Sequence, residues 1–418
     1  MTQDEPQPLI IDTDPGVDDV LAIVLALSRP DLVRLEAITL NFGNTTLDYA
    51  RDNVLRLFNV LHAHVQQEGK GQEGLKRSLS GSAYRTIFAS KGAEGPIGGE
   101  QFTASYFHGR DGLSGISQLH GDPFATSKSI PSPLVEDATK PAHEIILDIL
   151  RNNAPGTVRI AAVAPLTNLA LAFQSDPETF CRVGGISVMG GVLDGPGNTT
   201  ATSEFNTYAD PFAAKVLLHD APLHPVLQDA KRNACGYTGS LPIELLPLDI
   251  TRKHTVPYAR LCDDVDQRGG ILRSFYKAML SQPRRVTNSH APPGSPFDPR
   301  LYDNFEAHDP LAVAHAMFTP SLFSRRNGSQ QTEGGWKTEQ VRFGIETVGE
   351  LTRGYCVVDR RGLGSIKLGK IKPNSSAAKD KGNGDVEVEK PTSGQWDVVV
   401  ASPGPAWFAG IFCEALSI

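Results

Sequence analysis

Basic residues are in short supply in this chain, long apolar runs are missing, and the few cysteines lie far apart in the sequence. Lys and Arg number 40 against 47 Asp and Glu, a formal net charge of −7. Nucleic-acid binding draws most of its affinity from clustered Lys and Arg, so this balance argues against a phosphate-backbone partner and for a neutral small molecule. No stretch is long enough to cross a bilayer. The N-terminus, Met1 to Pro8, reads as a polar tail with Asp4 and Glu5 where a signal peptide needs a basic and then an apolar run. A cytoplasmic protein with no nucleic-acid or membrane partner is the expectation. The five cysteines (Cys181, Cys235, Cys262, Cys356 and Cys413) form no close pair resembling a zinc or redox motif, and their odd number suggests reduced thiols.

Enough apolar material is present for a sizeable core: 40% of the 418 residues are hydrophobic and 21% charged. Leu9-Ile10-Ile11 is a short apolar run ending in Asp12; it turns at Pro15-Gly16 and is followed by Val20-Leu21, Ile23-Val24-Leu25 and Leu27 at helical spacing. That reads as strand, turn, helix. The alternation recurs with strands over 33–40, 157–164 and 186–189 and helices over 46–61 and 166–173. Repeated βα units predict an α/β fold with a mostly parallel central sheet flanked by helices, a Rossmann-like open core in a single domain. In such sheets ligands bind beyond the carboxyl ends of the strands, where Asp12, Asn41 to Asn44, Val163 and Gly190-Gly191 would gather.

Several polar, Gly- or Pro-rich stretches read as loop insertions, near 66–80, 282–300 and 324–339. Residues 367–394 combine Lys, Gly, Ser, Asn and Glu with few apolar side chains, so a mobile loop is expected there. Strands are expected on either side, over 355–358 and 397–400, with a closing apolar helix over 407–416.

Asp12, Asp14, Asp18 and Asp19 crowd into one strand-to-helix turn. Four carboxylates this close repel one another unless a cation neutralises them or some are protonated, and a hard divalent cation is the simplest answer. A preference of Asp18 and Asp19 for the helix N-terminus is worth about 0.3–1 kcal/mol and does not call for four acids. An EF-hand loop counted from Asp12 fails, since Val17 and Ile23 stand where Gly and Glu are needed. An Asp-x-Asp after an apolar strand also occurs in haloacid-dehalogenase-type phosphatases, an alternative weakened by Pro15-Gly16 and the extra pair Asp18-Asp19.

The run from Asp12 to Asp19, Asp-Thr-Asp-Pro-Gly-Val-Asp-Asp, resembles the N-terminal signature of the inosine-uridine-type nucleoside hydrolases. Further matches follow in family order: Phe42-Gly43-Asn44, Phe107-His108-Gly109, the stretch 164–168, Val188-Met189-Gly190-Gly191, Gly197-Asn198, Glu204-Phe205-Asn206, the stretch 247–251, and His308-Asp309-Pro310. Together they extend over most of 9–418. The resemblance implies a ribonucleoside hydrolase of purine or pyrimidine salvage, a homodimer or homotetramer, that cuts the N-glycosidic bond by attack of a Ca²⁺-bound water.

By that resemblance Asp14, Asp19, Asp309 and the backbone carbonyl of Val163 hold the Ca²⁺. Val163 stands where some members have Thr, a mild departure because a carbonyl ligand does not depend on its side chain. Asp14 serves as general base, the natural role for a carboxylate beside an acidified water. Asp18, Asn44, Asn198, Glu204 and Asn206 hold the ribose, His308 protonates the departing base, and His108 lines the base pocket. Tyr106, Phe107 and Tyr208 are candidates to stack on a base. A catalytically inactive relative that binds metal and nucleoside stays open beside the enzyme, because binding and turnover use the same residues.

Overall fold

A computed structural model describes residues 5–67, 73–79, 87–119, 124, 135–263, 270–294, 296–319, 334–360 and 394–416. Among the described residues the strands are β1 (Gln7–Thr13), β2 (Val33–Leu40), β3 (Ile87–Ser90), β4 (Val135–Ala138), β5 (Arg159–Ala162), β6 (Gly185–Met189), β7 (Ile243–Leu246), β8 (Thr255–Pro257), β9 (Asn304–Glu306), β10 (Lys337–Ile345), β11 (Cys356–Val358) and β12 (Gly394–Ala401). Ten of them make one sheet in the order β11-β10-β12-β7-β6-β5-β1-β2-β3-β4. From β4 across to β12 every neighbouring pair is parallel; β10 and β11 add an antiparallel edge. The expected α/β core is present.

The centre of β1, Leu9-Ile10-Ile11, is an unbroken apolar run because both faces of the sheet are covered. Its side chains alternate: Leu9 and Ile11 enter one core, Ile10 the other, and all three are fully buried. The tail expected over the first eight residues is shorter than read, since Gln7 and Pro8 already pair with Val33 and Arg34 of β2. Connections leave β1 toward β2 on one side and β5 lies on the other, so the strand order reverses there. A crevice beyond the carboxyl end of β1 is the geometric consequence.

Two helices on one face decide what fills that crevice. Val17–Ser28 and His308–Phe318 are buried almost all round and pack against each other, which suits their continuous apolar sequence. The first begins directly after the β1 turn, and both N-termini point to the carboxyl edge of the sheet, bringing Asp18 and Asp19 to Asp309. The closing helix Pro405–Leu416 packs on the first of them.

Parts of the stretches read as insertions are ordered elements. Glu73–Leu79 is helical with Leu75 buried, Ser281–Asn288 is a helix, and β10 starts at Lys337. Polar composition concealed these because each buries only one stripe or one face. The loop expected over 367–394 lies outside the described residues, apart from Gly394 at the start of β12. All five cysteines are free and buried. Among the described residues no helix is long and apolar enough to cross a membrane.

Candidate active site

The acidic turn is organised from below. Asp12, at the end of β1, is fully buried, and its Oδ1 accepts from Thr39 Oγ1 of β2 (2.7 Å) and Asn168 Nδ2 (2.8 Å). Its other oxygen has no hydrogen-bond partner, and burial pushes the carboxyl up to about 7. Asp14 accepts from the backbone N–H of Asn44 (2.7 Å) and from its side-chain amide (3.2 Å). Asp19 is gripped hardest, accepting from Thr13 Oγ1 (2.6 Å), the Gly16 N–H (2.9 Å) and Asn44 Nδ2 (2.9 Å).

Oxygens of Asp18, Asp19 and Asp309 lie within 4.8 Å of one another, all buried. Asp18 Oδ1 has no hydrogen-bond partner. Burial first, then the charge of Asp19, raises Asp18 to about 6. Burial also holds Asp14 and Asp309 well above the usual carboxylate range, followed by repulsion from Asp19 and from Asp18 respectively. Two helix N-termini offset part of that repulsion but not all of it. Oxygen donors packed this way, one of them without a partner, fit a hard divalent cation. The trio includes Asp18, which the sequence reading gave to the sugar, whereas Asp14 sits beneath Asn44.

Above the acids lies a cavity of about 420 Å³. Asp18, Asn44, His108, Val163, Asn198, Glu204, Asn206, His308 and Asp309 all line it; Asp14 and Asp19 are not among the lining residues. Motifs spread from 18 to 309 in the chain therefore meet in one hollow. Its size falls in the range of small-molecule sites, ~300–1,000 Å³.

Each lining side chain is fixed by its element. Glu204 caps the short helix Phe205–Ala209, accepting from the N–H groups of Asn206 (2.7 Å) and Thr207 (3.0 Å), and also from Gly191 (2.8 Å). Much of its hydrogen-bonding capacity is thus spent on the fold. Asn206 donates to the carbonyls of Val163 and Met189, both at 3.2 Å. Asn198 Oδ1 accepts from the Phe205 N–H (2.9 Å), leaving its amide nitrogen as the group it can offer. His108 is buried and pushed down to about 3 by burial and then by His308, so it is neutral; Nδ1 accepts from the Val17 N–H (3.2 Å), and the donor it can offer is Nε2–H.

His308 opens the helix bearing Asp309. Its Nδ1 lies 2.8 Å from Thr251 Oγ1 and its Nε2 3.2 Å from Glu306 Oε2, at the end of β9. Sequence reading missed Thr251, Glu306, Arg252 and Thr287, although Thr251 closes a matched motif and Glu306 stands two residues before His308. Tyr106 and Phe107 line the cavity. Tyr208 is not among its lining residues: it packs on Phe102 with the guanidinium of Arg353 over its ring.

Fold and hollow together define an α/β protein with an acidic centre at the point where the strand order reverses, roofed by polar groups suited to a sugar. Residues 9–389 match the inosine-uridine preferring nucleoside hydrolase family, and the chain belongs to that family. It is therefore a hydrolase of N-glycosyl compounds, which sets aside the phosphatase reading of the same turn. Among similar proteins, the pyrimidine-specific ribonucleoside hydrolase RihA of Salmonella arizonae is 29% identical over 355 residues, covering 84% of this chain and 88% of its own length. An uncharacterized protein of Schizosaccharomyces pombe is 28% identical over 353 residues, with the same coverage. Two solved structures share the fold: an inosine-guanosine nucleoside hydrolase (TM-score 0.65, 22% identity, 98% of each chain) and a plant nucleoside hydrolase (TM-score 0.63, 20% identity, 98% of this chain and 99% of that one).

Proposed function

We propose that this chain hydrolyses purine and/or pyrimidine ribonucleosides to ribose and free base with Ca²⁺ as its metal, in cytoplasmic nucleoside salvage. The observation that carries the reading is that His308, Asp18 and Asp309 line one cavity of small-molecule size, with Asp19 buried beside the two acids. Pyrimidine-specific and inosine-guanosine relatives bracket the bases to be tested.

Cleavage of a ribosyl C–N bond passes through an oxocarbenium-like transition state, so one side of the sugar needs a water stripped of its proton and the other a proton for the leaving base. Asp14, Asp19, Asp309 and the Val163 carbonyl would hold the cation, with Asp18 adjoining. Bound there, Ca²⁺ supplies Lewis acidity that makes water a better nucleophile and gives sugar hydroxyls a further partner. Asp14 takes the proton, with the two hydrogen bonds from Asn44 holding its carboxylate in place. Asp18, Asn44, Asn198, Glu204 and Asn206 hold the ribose hydroxyls. His308 protonates the departing base, and His108 offers Nε2–H to the bound nucleoside.

The test is a turnover panel of inosine, guanosine, uridine and cytidine with their 2′-deoxy counterparts, with chelator and with added Ca²⁺. Hydrolysis of at least one ribonucleoside, abolished by chelator and restored by Ca²⁺, is expected, with deoxynucleosides much poorer because polar partners of the missing hydroxyl stay unpaired. Turnover by protein shown metal-free by elemental analysis would sink the idea.

A further inference from the structure

The loop from Gly191 to Asn198 leaves β6 and ends with Asn198 on the cavity wall. One short segment grips its backbone. Asp249, in the helix Leu248–Thr251, accepts from the N–H groups of Leu193 (2.8 Å), Asp194 (2.8 Å) and Gly195 (3.2 Å). Arg252, the next residue after that helix, donates to the carbonyls of Pro196 (2.7 Å) and Gly197 (3.1 Å). Each residue from Leu193 to Gly197 therefore has one backbone group fixed by a single structural unit. The loop end is tied once more where the Tyr106 hydroxyl donates to the Asn198 carbonyl (3.1 Å).

The same unit reaches the other side of the cavity. Thr251, adjacent to Arg252, meets His308 Nδ1. The Arg252 guanidinium, with its side chain 27% exposed, stands 4.0 Å from Glu306, whose carboxylate meets His308 Nε2. We propose that Arg252 is a positioning residue that sets Asn198 relative to His308, so that sugar and leaving base are held in one register. The inference rests on the nucleoside-hydrolase reading given above. Its physical basis is the guanidinium fork: two N–H groups in a rigid plane reach two successive carbonyls, which the single ammonium of a lysine does not reproduce. Arg252 also lines the cavity, and a double variant with Asn198 separates any contact of its own with the nucleoside from its hold on Asn198; losing a contact made alike in ground and transition state raises KM and leaves kcat little changed.

The experiment measures kcat and KM on p-nitrophenyl riboside and on the best natural ribonucleoside for wild type, Arg252→Ala, Arg252→Lys, Asn198→Ala and the double variant Arg252→Ala/Asn198→Ala. Arg252→Ala is expected to raise KM roughly tenfold or more while kcat on p-nitrophenyl riboside stays within about threefold, and Arg252→Lys to fall well short of wild type. In the Asn198→Ala background the arginine loss should add less than about threefold, because both act on one contact. Fully additive losses, a wild-type KM in Arg252→Lys, or a loss confined to kcat would overturn the proposal. Should Arg252→Ala fail to fold by thermal melt, Arg252→Gln in both backgrounds reads the same coupling. Wild-type protein that cleaves no ribonucleoside overturns the hydrolase reading and this inference with it; an active enzyme with additive variants overturns only the role of Arg252.

Discussion

The hydroxyl of Thr251 lies 2.8 Å from Nδ1 of His308, although 57 residues separate them in the chain. Glu306 faces the other ring nitrogen at 3.2 Å. An imidazole held at both nitrogens has a fixed plane, and whatever it does to a leaving group depends on the residues holding it.

Thr251→Val keeps the shape and removes the partner. Turnover of natural nucleosides should fall by at least about tenfold, toward the lower part of the roughly 10²–10⁴-fold typical of lost acid catalysis, while p-nitrophenyl riboside, whose leaving group needs no proton, is spared. His308→Ala should show the same split more strongly. The ratio of kcat/KM on the two substrates is the measurement, and equal losses on both would leave His308 a role in placing the sugar only.

Asp14 and Asp18 should separate by kinetics. Asp14 lies beneath Asn44, so Asp14→Asn should cut kcat by roughly 10²–10⁴-fold on every substrate, p-nitrophenyl riboside included. Asp18 lines the cavity, and Asp18→Asn should act mainly through KM. Interchanged profiles would exchange the two roles.

Asp12 makes a pH prediction. Its carboxyl titrates at about 7 in the fold against an ordinary value of 3.8. Between those values the unfolded chain has lost the proton and the folded one keeps it, so this contribution to stability is complete below about pH 4 and is lost as pH rises through about 7. Asp12→Asn retains the acceptor for Thr39 and Asn168 but cannot ionise. The chelator-treated variant should therefore lose less melting temperature than wild type over that interval; parallel curves would show that Asp12 does not titrate there.

Gly16 is a place where no side chain fits. A Cβ there would come within 2.5 Å of His108 Nδ1 and 2.8 Å of Asn44 Nδ2. Gly16→Ala should displace both side chains, with a stability loss of about 1–3 kcal/mol and a fall in kcat/KM of roughly 10²-fold. Wild-type kinetics in that variant would mean the turn relaxes freely.

Much of the site was legible because its determinants are local. Asp12 to Asp19 announce themselves by crowding, and the turn they occupy is dictated by the apolar run before it and the helical spacing after it. Asn44, Asn198, Glu204, Asn206 and His308 stand in short motifs that keep their order in the chain. Arg252 and Glu306 gave little sign, since an arginine and a glutamate on an ordinary surface look the same in sequence, and Thr251 closed a matched motif with no sign that it meets His308. Only their meeting with His308 and the Gly191–Asn198 loop distinguishes them.

By itself the sequence determined the class of fold, the run of parallel strands and the acidic turn, because strand and helix periodicity and carboxylate repulsion act over a few residues. Tertiary structure alone decided which acids face one another. Asp18, in the first turn of the helix Val17–Ser28, is turned toward Asp309 and the cavity, while Asp14 is carried under Asn44. That choice depends on how two buried helices cross at the end of β1, a packing outcome fixed by side chains nearly 300 residues apart in the chain.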